Sequence, residues 1–364
     1  MSSSILEHIK SKAIIRALIR GTVGDYVVSF YNGKWKCSCP HHFYRKVECK
    51  HIRKVKEMFS LEDILSGKIV TKYESSLKCL EEMIGDKLYT SDGLIAIFSQ
   101  PEVGKTLTAI QESAWMMTKG YNVLFIGTEG NEASMMGKWL PKFKERFGDF
   151  KGTLYLERRK TLESLFEFLG FKIFLDYKGK VKEKKGGKKE FSGKTEFRVV
   201  ERIPSRLEEI VKNKKINFIV LDSITAPMKG RFYGSQQDNP AKAGAMALIL
   251  SELIRMQDEY DCAVLITVHE SFNPANPYEG IGRATGGINL YHFCKRIFYI
   301  DRRDATAEKN YRRIWVIRSE DIVAGSRATA VKINDLGIHC LPEKEVQERF
   351  TKGELEKMRR LREE

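Results

Sequence analysis

The chain has 364 residues, of which 42% are hydrophobic and 30% are charged, a composition typical of a folded globular protein rather than a disordered one. No apolar run approaches the roughly 18 residues that a membrane-spanning helix requires. The first residues lack the charged-then-apolar order of a signal peptide, so we expect a cytoplasmic protein without a membrane partner.

The net charge of +15 is concentrated in two stretches. Residues 1–60 hold 12 Lys and Arg against 4 Asp and Glu, and residues 172–202 hold 11 against 5. Such clusters favour a polyanionic partner, because each phosphate that a cation neutralises releases condensed counterions. The alternative is the charged, solvated surface of a heat-adapted protein. The clustering favours the polyanion.

The N-terminal sixty residues predict a small module. Apolar spacing predicts a helix over 5–20 with a basic outer face. Residues 26–30 and 34–36 flank an Asn-Gly turn signal and are typical of a β-hairpin. A second helix is expected over 52–59, followed by a connector that reaches about residue 73.

Cysteine and histidine residues cluster after this hairpin. Cys37-Ser-Cys39 and Cys49-Lys-His51 are two ligand pairs separated by nine residues. Three thiolates and one imidazole complete a closed tetrahedral zinc shell, which suits structure rather than catalysis. His41 and His42 are competing ligands, but His51 completes the second pair; the spacing disfavours a chance cluster of buried thiols. The other cysteines are expected to be small buried hydrophobic residues: Cys79, Cys262, Cys294 and Cys340.

The order C-x-C, spacer and C-x-H, between a hairpin with a tryptophan and a helix, resembles the SWIM zinc finger over about residues 26–59. The resemblance implies a zinc-binding module that recognises nucleic acid or protein. Basic residues around the cluster favour nucleic acid: Arg45, Lys46, Lys50, Arg53, Lys54 and Lys56.

The remainder alternates short apolar strands with helices, which predicts an α/β fold with a mostly parallel sheet covered on both faces. Strands are expected at 93–98, 122–127, 216–221 and 263–268, and a helix at 105–119. Flanking strand candidates at 171–177 and 195–200 predict a projecting basic hairpin within 172–202. A charged helix is expected from residue 343.

Residues 99–106, S-Q-P-E-V-G-K-T, end like the phosphate-binding loop G-x-x-x-x-G-K-[ST] but have Ser99 at its first position. Gly104 is needed where backbone meets phosphate, Lys105 reaches the β- and γ-phosphates, and Thr106 ligates Mg²⁺. The first glycine mainly permits a tight turn, so Ser99 leaves this chemistry in place. The loop predicts ATP and Mg²⁺ as ligands; the alternative is an incidental strand–turn–helix.

Asp222 ends an apolar strand and can hold a magnesium-bound water at the carboxyl edge of a parallel sheet. An apolar strand that ends in Asp is common and is weak evidence by itself. Because it follows a phosphate-binding loop in this chain, Asp222 is a credible second component of the nucleotide site. The predicted nucleotide-binding set is Ser99, Gly104, Lys105, Thr106, Leu107 and Asp222, with Thr106 and Asp222 on magnesium.

Over about residues 71–341 the chain resembles the RecA-like recombinases, most closely archaeal RadA and its paralogues. Thr128-Glu129-Gly130 is similar to the family's T-E-G, whose glutamate activates the attacking water, which implies that Glu129 is the general base. A surface glutamate at a strand end is the alternative. Asp222-Ser-Ile-Thr225 is similar to D-S-L-T. The strand at 263–268 is similar to the family strand that ends in T-N-Q, whose glutamine senses the γ-phosphate. His269 stands in the place of that glutamine. An imidazole can also hydrogen-bond to phosphate, but its charge depends on pH. The expected catalytic residues are Lys105, Glu129 and His269.

The resemblance places two DNA-binding loops at 229–238 and 270–283, the second leading into the glycine pair at 286–287. An ordinary mobile loop is the alternative for the second. The hairpin would add phosphate contacts that do not depend on sequence. The predicted DNA contacts are Lys229, Arg231, Phe232, Phe272, Arg283, Lys184, Lys185, Lys188 and Lys189.

The chain departs from archaeal RadA in three places. The zinc module stands where RadA has a helix-hairpin-helix. The F-x-x-A polymerisation anchor has no clear counterpart, since Phe59-Ser-Leu-Glu62 lacks the alanine, and residues 320–325 replace the proline-bearing segment that caps a neighbour's ATP. The expected organisation is a zinc module at 1–60, a linker at 61–72, an ATPase core at 73–342 and a helical tail at 343–364.

These features predict a zinc-containing, DNA-dependent ATPase that binds single-stranded DNA in homologous recombination or repair, beside a RadA-type recombinase or another paralogue. One alternative is a non-hydrolysing ATP-binding adaptor that recruits a protein through the zinc finger; Ser99 and His269 favour it, and Glu129 opposes it. A helicase or KaiC-like ATPase of the same fold is the other.

Overall fold

The computed structural model describes residues 15–20, 25–31, 34–45, 47–58, 70–184, 188–229, 231–232, 238–271, 283–286, 288–303, 306, 308–320 and 322–363. The chain divides into two compact units, Met1–Thr71 and Lys72–Glu364. Among the described residues, no helix combines the length and the apolar character needed to cross a bilayer.

The first unit contains an antiparallel sheet in the order β1-β2-β3, followed by two helices. Its elements are β1 (Ile15–Arg20), β2 (Asp25–Tyr31), β3 (Lys34–Cys37), α1 (Pro40–Arg45) and α2 (Lys50–Met58). The predicted hairpin and second helix are confirmed.

The helix expected over 5–20 is wrong in its last turn and a half. Residues 15–20 form β1, which pairs antiparallel with β2 from Ile15 opposite Phe30 to Arg20 opposite Asp25. The neighbouring strand supplies the backbone partners that a helix would have found within itself, and this tertiary pairing overrides the local apolar spacing. Residues 1–14 lie outside the described residues.

The strands of the second unit follow in chain order: β4 (Lys72–Tyr73), β5 (Tyr89–Thr90), β6 (Leu94–Ser99), β7 (Asn122–Gly127), β8 (Leu154–Arg158), β9 (Phe171–Lys184), β10 (Lys188–Arg202), β11 (Ile216–Asp222), β12 (Ala263–Ser271), β13 (Arg283–Ala284), β14 (Cys294–Asp301), β15 (Tyr311–Arg318), β16 (Ala328–Asn334) and β17 (Gly337–Cys340). Its helices are α3 (Lys78–Ile84), α4 (Lys105–Thr118), α5 (Glu132–Phe147), α6 (Leu162–Leu169), α7 (Arg206–Asn213), α8 (Asn239–Tyr260), α9 (Ile288–Phe293), α10 (Glu343–Glu348) and α11 (Lys352–Glu363).

The central sheet confirms the predicted α/β class. Its strand order, over the described part of the chain, is β17-β16-β15-β14-β6-β12-β11-β7-β8, with β13 paired to β12. The strands from β14 to β8 run parallel, and β15 to β17 extend the sheet antiparallel. The carboxyl ends of β6, β7, β11 and β12 therefore meet at one edge, where a ligand is expected in such sheets.

Both faces of this sheet are buried, as the apolar strands require. Along β6, Leu94, Ala96 and Phe98 belong to a core with the helices α6 to α8, while Ile95 and Ile97 belong to a second core with α3 to α5. The alternation follows from the two-residue period of a strand.

The basic hairpin is confirmed. Strands β9 and β10 pair antiparallel from Phe171 opposite Arg202 out to Lys184 opposite Lys188. The expected single tail helix is instead two helices, α10 and α11. The first ends at Glu348, and Thr351 caps the second by accepting a hydrogen bond from the Glu354 backbone N–H at 3.3 Å.

Cys79 and Cys340 form a disulfide, with Cα atoms 5.8 Å apart and a sequence separation of 261. The expectation that the four scattered cysteines are simply small buried hydrophobic residues is therefore wrong for this pair. It holds for Cys262 and Cys294, which are free and buried. Cys340 is on β17 and Cys79 is on α3, and the antiparallel strands β15 to β17 bring these two elements together. Local sequence does not reveal this contact.

Candidate functional site

The turn between β6 and α4 has the backbone of a phosphate-binding loop. Glu102 and Gly104 have positive φ angles of 60° and 124°, and α4 begins at Lys105. Ser99 is the last residue of β6 and keeps an extended backbone, so this position does not require glycine. Its hydroxyl donates to the Gln100 carbonyl at 2.7 Å. The departure from the glycine pattern therefore leaves the turn intact.

Lys105 lies over this loop, with only 5% of its surface exposed. Its Nζ donates to the carbonyl oxygens of Ser99 at 3.2 Å and Gln100 at 2.9 Å, and to the Ser99 hydroxyl at 3.0 Å. Burial lowers the pKa of Lys105, and the charges of Glu129 and Asp222 oppose that shift. The ammonium is thus held at the mouth of the loop, where it can neutralise phosphate.

The other predicted loop residues lie at the start of α4. Thr106 is half-buried, and Leu107 is buried in the core beside α3 and α5, so Leu107 can offer a ligand only its backbone. The Gly104 carbonyl accepts hydrogen bonds from the N–H of Thr108 at 2.9 Å and from its hydroxyl at 3.0 Å. These bonds secure the first helical turn, whose free N–H groups favour an anion.

Asp222 ends β11 and is completely buried. One carboxylate oxygen accepts a hydrogen bond from the Thr267 hydroxyl, while the other, Oδ2, has no hydrogen-bond partner within the described chain. Burial raises the pKa of Asp222 to about 6, and the hydroxyls of Thr267 and Thr106 act against that shift. A buried carboxylate with one unpartnered oxygen, whose pKa the Thr106 hydroxyl influences, fits the oxygen ligands that Mg²⁺ prefers.

Glu129 and His269 lie together at the same edge. His269 Nε2 is 3.0 Å from a Glu129 carboxylate oxygen, which also accepts from the Ser223 hydroxyl at 3.1 Å. His269 Nδ1 is 2.8 Å from the hydroxyl oxygen of Thr225. The imidazole therefore joins the expected general base to the segment after β11.

Several residues that the sequence analysis did not assign support this arrangement. A Glu132 carboxylate oxygen accepts from the N–H groups of Glu129 at 2.6 Å and Gly130 at 2.9 Å, which fixes the turn that carries Glu129. The Thr128 hydroxyl donates to the Ser223 carbonyl and accepts from its N–H, both at 2.8 Å. The threonines and the serine belong to the T-E-G and D-S-I-T matches, which could have indicated them; nothing local marks Glu132.

We expect the contact between Glu129 and His269 to be measurable through pH. Its hydrogen bond to His269, opposed by burial, is the main reason that the pKa of Glu129 lies below its ordinary value of 4.5. A double-mutant cycle with Glu129→Gln and His269→Ala measures the coupling energy between the two side chains. Because folding lowers the pKa of Glu129, the coupling energy is fully present above the pKa of Glu129 in the unfolded chain. It is lost as the pH falls through the lower pKa of Glu129 in the folded protein. About 0.5–1 kcal/mol is expected at pH 6 for this partly exposed pair.

Chemical denaturation between pH 3.5 and 6 measures this coupling. A Thr225→Val variant serves as a control, because it removes the hydroxyl on the other imidazole nitrogen and leaves the carboxylate contact. A coupling energy that does not change over this range contradicts the assignment of the depressed pKa to His269.

The predicted first DNA loop is only partly described. Lys229 is exposed, and Arg231 forms an ion pair with Glu163 at 2.6 Å. Phe232 is only 6% exposed and packs in the core with α6 and α8, so its buried side chain does not fit the predicted DNA contact. Its burial follows from the short helical turn Ala226–Met228, whose Met228 carbonyl accepts from the Phe232 N–H at 3.1 Å.

The remaining predicted DNA contacts fall on the basic hairpin and around the second loop. Lys184 and Lys188 are opposite each other at the end of the hairpin, and Lys189 is opposite Glu183. Arg283 begins β13 opposite Ser271. Phe272 and Lys185 lie outside the described residues.

In the first unit, the four predicted zinc ligands come together. Cys37 ends β3, Cys39 follows it, Cys49 precedes α2 and His51 lies within α2; all four are buried, and their donor atoms lie within 4.8 Å of one another. His51 Nδ1 is 3.8 Å from the Cys37 sulfur and 4.0 Å from the Cys49 sulfur. Tetrahedral zinc separates such donors by roughly 3.6–3.8 Å.

The competing histidine His42 is not a member of this cluster. Its Nδ1 is 2.7 Å from the Val47 carbonyl oxygen, and its backbone N–H donates to the Cys39 sulfur at 3.5 Å. His51 is the histidine that lies with the three cysteines, which agrees with the prediction from spacing. The set of three thiolates and one imidazole fits zinc.

Comparison with known protein families supports the predicted nucleotide-binding core. A family model described as an AAA domain matches residues 64–274, a range that contains the phosphate loop, Glu129, Asp222 and His269. The match supports a RecA-like ATPase core. A search of curated proteins gives no match.

Proposed function

The chain belongs to the AAA domain family, and from that premise we propose that it is a zinc-containing, DNA-binding ATPase of the RecA and RadA-paralogue type that acts in recombination or repair. Lys105 and the loop would bind the nucleotide phosphates, and Asp222 with Thr106 would hold Mg²⁺, which stabilises the charge that develops on them. Glu129 would orient and deprotonate the attacking water.

One observation carries the proposal: His269 contacts both the proposed general base and the segment that leads into the first predicted DNA loop. Its Nε2 is 3.0 Å from Glu129, and its Nδ1 is 2.8 Å from Thr225, four residues before Lys229. His269 also lies on β12, which ends at Ser271 where the second predicted loop begins. A change at the γ-phosphate that displaces Glu129 would therefore be transmitted to both loops.

The charge distribution supports a polyanionic partner. The hairpin of β9 and β10 carries most of the basic residues of 172–202 and pairs lysine with lysine at Lys184 and Lys188. Together with the basic zinc module, this charge distribution favours contacts with the phosphate backbone of single-stranded DNA. A strand-exchange recombinase is the proposed protein partner.

We expect single-stranded DNA to bind with a steep salt dependence and to stimulate ATP hydrolysis. Three neutralised phosphates weaken binding about twentyfold between 50 and 200 mM salt. Fluorescence anisotropy with a labelled oligonucleotide measures the slope, and an ATPase assay with and without DNA measures the stimulation. A variant with Lys188→Glu and Lys189→Glu should lose most of the slope.

The matched control carries Lys352→Glu and Lys357→Glu on α11, which removes the same charge from a surface outside the predicted DNA contacts. Absent DNA binding, or binding that is indifferent to salt, contradicts the proposal. So does a control that loses as much affinity as the hairpin variant.

A second candidate, an ATP-binding adaptor that does not hydrolyse, is favoured by one observation. The Glu129 carboxylate, which would activate water, is engaged by His269 and Ser223. An adaptor would bind ATP with no turnover above that of a Glu129→Gln variant.

A further inference from the structure

Two arginines outside the sequence motifs lie beside the phosphate loop. Arg302 directly follows β14, which is parallel to β6 and pairs with it up to Tyr299 opposite Phe98. Arg312 is on β15, which pairs antiparallel with β14. In this pairing Asp301 lies opposite Arg313, one residue away from Arg302 on one strand and from Arg312 on the other. Asp301 and Arg313 form an ion pair at 2.9 Å, so Arg302 and Arg312 belong to the other face of the sheet.

Both guanidinium groups donate to carbonyls of the loop. Arg312 Nε donates to the Val103 carbonyl at 2.8 Å, and Arg302 Nη2 donates to the Glu102 carbonyl. A peptide unit is planar, with its C=O and the following N–H pointing in opposite directions. Holding these two carbonyls therefore fixes the directions of the Val103 and Gly104 N–H groups, which point away from the arginines.

The loop needs such restraint, because Glu102 has a φ of 60°. An L-residue in this left-handed region persists only where the surroundings hold it. Arg312 is itself fixed, since its Nη1 donates to the carbonyls of Lys309 at 2.6 Å and Tyr311 at 2.7 Å.

The pair also brings positive charge to the loop. Burial and the neighbouring charge of Arg302 both lower the pKa of Arg312. Neither guanidinium forms an ion pair with a carboxylate of the described chain. Two adjacent cations without a carboxylate between them favour an anion nearby, and the loop is the surface that both contact.

We propose that Arg302 and Arg312 are positioning residues that orient the phosphate loop towards the diphosphate portion of a nucleotide. This inference rests on nucleotide binding in the proposed function and is independent of DNA. Since the loop amides cradle phosphates that ADP and ATP share, both nucleotides should depend on the arginines.

Arg312→Gln is expected to weaken the binding of ATP and of ADP by the same factor, about tenfold, as for the loss of a charge-assisted hydrogen bond. Arg312→Lys, which keeps the charge and one donor, should lose less. Isothermal titration calorimetry measures both affinities, and thermal unfolding reports on the fold. The matched control is Arg146→Gln, because Arg146 is also half-buried and donates to two backbone carbonyls, of Leu336 and Ile338 at 3.1 and 2.9 Å.

A loss for ATP alone overturns the proposal, since it indicates direct contact with the terminal phosphate. Unchanged affinities in both Arg312 variants, or an equal loss in Arg146→Gln, overturn it as well. If wild type binds nucleotide but DNA has no effect on turnover, the DNA part of the proposed function fails and this inference stands. If wild type binds no nucleotide, both fail.

Discussion

Replacement of Glu129 by glutamine is expected to lower kcat for ATP hydrolysis by about 10²–10⁴-fold, the usual contribution of a general base. The amide cannot take a proton from water, but it can still accept the hydrogen bond that Ser223 donates at 3.1 Å. Nucleotide affinity should stay within about twofold of wild type, because phosphate binding rests on Lys105 and the loop. Steady-state turnover and calorimetric titration of ATP separate the two effects.

Lys105→Ala supplies the opposite pattern. Its Nζ is the buried cation at the mouth of the loop, so its loss should abolish measurable ATP binding rather than turnover alone. Turnover that survives in Glu129→Gln contradicts the assignment of the base. Wild-type binding without any turnover favours the adaptor instead.

Local sequence was sufficient for much of the second unit. The strands β6, β7, β11 and β12 are short apolar runs, and such runs between helices specify a parallel sheet buried on both faces. Parallel strands bring their carboxyl ends to one edge. That rule, the phosphate-loop motif and the resemblance to RadA together predict that Lys105, Glu129, Asp222 and His269 share one site. In the structure His269 contacts Glu129, and the charges of Glu129 and Asp222 act on Lys105.

The features that sequence could not reveal depend on distant neighbours. Residues 15–20 have helical apolar spacing but are drawn into a sheet by β2. Phe232 belongs to a basic, loop-like stretch but is buried against helices that come from elsewhere in the chain. The disulfide between Cys79 and Cys340 and the contacts of Arg302 and Arg312 join segments about 200 residues or more apart. No local periodicity encodes such pairings.

Cys49→Ser is expected to remove one equivalent of zinc and to unfold the first unit. This unit is too small to be stable on a hydrophobic core alone, and among its described side chains few apolar ones besides the ligands are buried, including Val28, Ile52 and Val55. Zinc binding contributes about 10–16 kcal/mol in comparable peptides, which here is folding free energy. Elemental analysis gives the metal content, and limited proteolysis followed by mass spectrometry shows which unit is cut.

The second unit should remain folded in Cys49→Ser, because its cores are built from its own strands and helices. ATP binding should therefore persist, while DNA affinity falls if the zinc module contributes to it. Cys262→Ser is the matched control: it also removes a buried free thiol, but one outside the cluster, so zinc content should not change. Full zinc content in Cys49→Ser contradicts the ligand set, whereas loss of zinc with an intact first unit contradicts its structural role.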